Sequence, residues 1–137
     1  MADKDFYTPK TRNTDEQRVA GRFKPNGSSP ITNTPGTTIF GQGFSVARSA
    51  TGTYQITVVG RFGDFLHGDA TLMTSTVTDG GQFRITPAVG SGANTVVTLV
   101  HLGEDAGGLV VAEDIASAAD NFVTFELVFD GRTGTRR

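Results

Sequence analysis

Histidine, carboxylate and hydroxyl groups are the raw material for an active site in this chain, because it contains no cysteine. Disulfides, thiolate metal sites and a cysteine nucleophile are excluded together. His67 and His101 are the only histidines. His67 sits in a Leu-His-Gly-Asp turn, two residues before Asp69, and His101 ends the apolar run over residues 95–102. Two histidines with a carboxylate suffice for a zinc ligand set or a hydrolase triad. Neither histidine shows ligand spacing on one element, and no Gly-x-Ser-x-Gly elbow supplies a nucleophile. The plainer reading of each is a polar histidine in a turn or at a strand end.

Carboxylates gather at Glu104-Asp105 and Glu113-Asp114, on either side of an apolar segment at residues 109–112. Brought together they would offer hard oxygen ligands to calcium, but the Asp-x-Asp-x-Asp-Gly loop pattern is absent. Solvated loop charge is the alternative. A glycosidase needs two carboxylates held about 5–10 Å apart beside a sugar cleft, and nothing in the spacing recommends one. The 18 glycines fall in turns such as Gly41-Gln42-Gly43, Gly80-Gly81 and Gly107-Gly108. No lysine follows them in Walker fashion and no strand–loop–helix context surrounds them, so they serve backbone geometry. The chain is therefore read as a non-enzyme with no catalytic residues, no metal and no cofactor.

What elements position these residues? The 137 residues suit one domain with a tail. A body of about 100 residues can fold without disulfides or a metal. The polar N-terminus (Met-Ala-Asp-Lys-Asp-Phe-Tyr) lacks the apolar core of a signal peptide. No run of about 18 apolar residues occurs, so no membrane partner is expected.

Residues 1–36 hold four of the five prolines and sustain no apolar period of 2 or 3.6. They read as an extended N-terminal arm that orders only against a neighbour. Its isolated anchors are Phe6, Tyr7, Val19 and Phe23, and Thr14 to Arg18 could start a short helix with Thr14 as N-cap. Residues 1–40 carry six basic against four acidic groups, a net of +2, and the remaining six basic and ten acidic groups leave −4. A weakly basic arm on a weakly acidic body suits contact between copies or with an acidic surface. It falls short of the basic density that nucleic-acid binding needs.

Residues 37–132 read as the body and 133–137 as a flexible C-terminus. Alternating or β-branched segments at residues 44–48, 54–58, 70–77, 82–86, 95–102, 109–112 and 122–130 are separated by turn residues. Only residues 113–119 have helix-friendly composition, enough for one turn in a loop. Seven to eight short, evenly spaced strands predict an all-β fold, an antiparallel sandwich or small barrel. Threonines give the strands a polar outer face, and Val96, Val100 and Val128 fall opposite the expected core as natural subunit contacts.

The order of segments carries a resemblance. Gly21-Arg22-Phe23-Lys24-Pro25-Asn26-Gly27-Ser28-Ser29 is followed by Gly41-Gln42-Gly43-Phe44-Ser45-Val46-Ala47-Arg48 and by Thr51-Gly52-Thr53-Tyr54-Gln55-Ile56-Thr57. A loop over residues 114–121 then precedes residues 122–129. Over about residues 21–130 this resembles small structural proteins of tailed bacteriophages, of the head decoration (cement) type. The resemblance implies a β-domain, a homotrimer, sitting on the outer surface of the shell and made in the host cytoplasm. Its partners would be the major capsid protein and its own copies, with the arm reaching a neighbouring subunit. On that expectation the arm contacts are Phe6, Tyr7, Arg12, Arg18, Arg22 and Phe23, and removal of residues 1–20 spares folding. The alternative is a head-fibre or tail-associated adhesin whose loops at residues 79–81, 90–94 and 104–108 bind a host glycan or receptor. A small hydrolase, third in line, would depend on His67 or His101.

Overall fold

The computed structural model describes residues 16–60, 65–75, 82–91 and 94–130. Among these the chain is all-β. In chain order the strands are β1 (Glu16–Phe23), β2 (Ile39–Phe40), β3 (Phe44–Ala50), β4 (Thr53–Val58), β5 (Phe65–Met73), β6 (Gln82–Ser91), β7 (Asn94–Glu104), β8 (Val110–Ala112) and β9 (Phe122–Asp130). They form two sheets, one in the order β2-β1-β9-β5 and one in the order β3-β4-β7-β6. All strand pairs are antiparallel. The all-β antiparallel fold expected from the sequence, a sandwich or small barrel of seven to eight strands, is borne out as two sheets, with nine strands among the described residues.

The short strand β8 joins the second sheet through β7, with Leu102 opposite Ala112 and Glu104 opposite Val110. Because β6 already occupies one side of β7 at Leu102, β8 takes the side that β4 leaves at Val100.

Period-2 alternation produces the core. Tyr54, Ile56 and Val58 of β4 and Val97 and Leu99 of β7 are buried from one sheet. Phe23 of β1 and Val123, Phe125, Leu127 and Phe129 of β9 are buried from the other. The rings interlock across the layer: Phe23 lies 5.3 Å from Tyr54 and 6.4 Å from Phe125, and Phe44 meets Phe125 edge-on at 4.9 Å. Full burial of one such side chain is worth about 1.5–3 kcal/mol. Gly21 belongs to this packing. A Cβ there would fall 2.5 Å from the Phe44 ring and 2.8 Å from the Phe40 carbonyl oxygen, so only glycine lets Phe44 reach Phe125.

The expected arm boundary is corrected. Residues 16–36 belong to the body, because all eight residues of β1 pair with β9 and place β1 inside its sheet. The stretch after β1 is tied down too. Lys24 N–H donates to Thr38 O at 2.8 Å and Gly27 N–H to Ile115 O at 3.0 Å. The Asn33 side chain bonds the Val46 backbone in both directions, and Ile31 is buried. A 20-residue deletion would cut into a central strand. Glu16, Gln17 and Arg18 are strand rather than helix, while Thr14 lies outside the described residues. Residues 113–119 form no helical turn.

Candidate interaction surface

The polar residues singled out as candidate chemistry separate in space. His67 is exposed on the outer face of β5 opposite Val128, whereas His101 is buried on the inner face of β7 in the other sheet. The His101 ring packs 5.3 Å from Phe83, and its Nδ1 lies 2.8 Å from the Glu113 carbonyl oxygen. That carbonyl can only accept, so Nδ1 carries the proton.

Beside it Asp114 takes two bonds from Arg48, both 2.9 Å, and one from Gly52 N–H at 2.7 Å. The Arg48 hydrogen bonds hold the Asp114 carboxyl below its usual range, and Asp114 raises the Arg48 guanidinium in return. Tyr54 completes the group by accepting Ile115 N–H at 3.3 Å, and burial raises its phenol. Gly52 turns here with φ +64°, against the Glu113 backbone, which leaves no room for a side chain. These bonds staple residues 113–115 to the β3–β4 turn.

The acidic pairs do not converge. Asp114 is committed to Arg48, while Asp105 Oδ1 accepts Gly107 and Leu109 N–H at 2.8 and 3.0 Å to shape the β7–β8 turn. Among the described residues no group of three His, Asp or Glu side chains is placed to hold a metal ion.

The outer face of the β2-β1-β9-β5 sheet is organised differently. Arg22 of β1 stands between two rings, its Cζ 4.4 Å from the Phe40 centroid and 4.5 Å from that of Phe122. The rings themselves meet edge-on at 5.8 Å, and Lys24 Nζ lies 5.1 Å from the Phe122 ring. Lys24 also donates to the Ala118 carbonyl. Half-exposed Met73 lies across from Phe122 in register. A guanidinium resting against rings can still donate N–H groups to a carboxylate, and Arg22 has no carboxylate partner among the described residues. At the far end of β1, Arg18 is paired with Glu126 at 3.1 Å and Glu16 at 3.6 Å. The described surface also carries a shallow cleft of about 130 Å³ lined by Lys24, Pro25, Asn26, Thr32, Thr38 and Ser117.

A second surface lies on the other sheet. At the β7–β8 hairpin Leu109 is 67 % exposed, Val110 65 % and Val111 36 %, three consecutive apolar residues beside the exposed acids Glu104 and Asp105.

Of the contacts expected on the arm, Phe6, Tyr7 and Arg12 lie outside the described residues. Arg18 and Arg22 face outward from β1. Phe23 is corrected: it is fully buried, at the centre of the core, and cannot meet a neighbour. Val100 and Val128, expected as exposed subunit contacts, are buried. Sequence reasoning missed Phe40 and Lys24 as surface groups. Phe122, the partner ring of Phe40, falls in the segment expected as the last strand, while Arg22 was assigned to the arm. No protein family, curated protein or solved structure matches the chain.

Proposed function

We propose that this chain is a structural protein of a bacteriophage virion, a decoration protein that binds the outer surface of the shell and stabilises it without catalysing a reaction. One observation supports this reading above the others. β1 starts at Glu16 directly opposite Asp130, so the first and last described residues lie side by side at one corner of one sheet. Phe6, Tyr7, Lys10 and Arg12 then precede a strand that is locked in place, and Arg132, Arg136 and Arg137 follow its partner. Aromatic and basic residues in the sequence on both sides of that corner suit attachment to a neighbouring subunit of the shell. The mechanism is many weak contacts repeated by symmetry, each costing the order gained by the attached segment. The resemblance of residues 21–130 to decoration proteins points the same way.

The test is shell binding by the purified chain with and without residues 2–14, a cut that leaves β1 whole. The truncated protein should fold with unchanged strand content and lose at least about tenfold in affinity for undecorated shells. Saturation of shells at the concentration of the full chain would overturn attachment through this segment.

A further inference from the structure

We infer that copies of this chain associate head to tail, the β7–β8 hairpin of one copy seating on the Phe40–Arg22–Phe122 face of the next. The two surfaces are complementary in both apolar and charged character. The hairpin offers Leu109, Val110 and Val111 beside the carboxylates of Glu104 and Asp105. The receiving face offers the Phe40 and Phe122 rings and Met73 beside the cations of Arg22 and Lys24.

Arg22 is held ready for this contact. Its contacts with both rings restrict the guanidinium before binding, so less side-chain freedom is lost when its N–H groups meet a carboxylate. Glu104 is exposed at the end of β7, and Asp105 spends one oxygen on the turn, leaving the other for a partner. Strand β8 has three residues and is apolar at the exposed end of its sheet, the type of edge that invites contact with another chain.

The hairpin and the receiving face belong to different sheets of one copy. The hairpin extends from the β3-β4-β7-β6 sheet, whereas the receiving face is the outer side of the other sheet. A contact between two different surfaces of one chain is heterologous. It closes into a ring if the rotation permits and otherwise continues as a filament. This contact extends the decoration reading but is measured on the isolated chain, so it and shell attachment can fail separately.

Sedimentation of the full chain from about 10 µM to about 1 mM covers the range of a small, weak interface. The wild type should assemble with rising concentration, and Arg22→Glu and Val110→Asp should each stay monomeric throughout. Mixed in equal amounts, the two variants should form a heterodimer and nothing larger, because each keeps one intact surface. Combining Arg22→Glu with Glu104→Arg should restore assembly. If either variant loses its cooperative melt, Arg22→Ala and Leu109→Ser replace them in the same mixing experiment. A monomeric wild type across the range, assembly of either single variant like wild type, or a mixture that stays monomeric would overturn the inference.

Discussion

Arg22 and Phe23 are adjacent on one strand and occupy opposite worlds. Phe23 turns inward to the Tyr54 and Phe125 rings and is fully buried. Arg22 turns outward between Phe40 and Phe122 and meets no carboxylate of the described body. A strand alternates its side chains with period 2, so a single-residue step separates what stabilises the sandwich from what it displays. Aromatic residues serve both sides. Inside they are packed by one another, and outside they hold a cation in place.

The largest effect should come from the inner side. Phe23→Ala is expected to cost about 3–5 kcal/mol in urea unfolding, because the surrounding rings can close the cavity only in part. A cost below about 1 kcal/mol would mean that Phe23 is not a core residue. Gly21→Ala comes next at about 1–3 kcal/mol, since the new Cβ meets the backbone oxygen of Phe40 as well as the Phe44 ring. A denaturation midpoint equal to wild type would remove the argument that Gly21 is there for close packing.

A second arginine sharpens the contrast. Arg48, unlike Arg22, has its carboxylate within the fold, and Asp114 is held below its ordinary value of 3.8 by that bond. A depressed carboxylate stabilises the folded state fully above its unfolded value and loses that contribution as pH falls through the folded value. Between about pH 7 and about pH 3, Asp114→Asn should therefore show a fall in Tm smaller by a few degrees than that of wild type. Equal falls would show that Asp114 does not contribute to the acid sensitivity. The smallest effect belongs to Arg22→Ala, less than about 1 kcal/mol on unfolding, since a partly exposed cation–π contact is worth little. A larger loss would move Arg22 from the display side to the structural side.

The second sheet was easier to read than the first. Strands β3, β4 and β7 announce themselves by alternation, as in Tyr54-Gln55-Ile56-Thr57-Val58, where every second residue is buried. In β1 the inward positions are Val19, Gly21 and Phe23, and the central glycine erases the apolar signal where it is needed. That glycine is required by Phe44, which is 23 positions away in the sequence, so no local window contains the reason. β2 has two residues and no periodicity to find. The half-buried ring-and-cation face was hidden for the same cause: Arg22, Phe40 and Phe122 come from three strands that only the sheet order β2-β1-β9 brings together. The histidines were visible in the sequence as types, but their separation onto different sheets is a property of the topology.

The most direct test of the decoration reading is the copy number of this chain relative to the major capsid protein in purified virions, by quantitative mass spectrometry. The expected result is a ratio near one or another simple fraction set by the shell lattice. A handful of copies per particle would point to a fibre or tail component, and absence from the particle would contradict the reading outright.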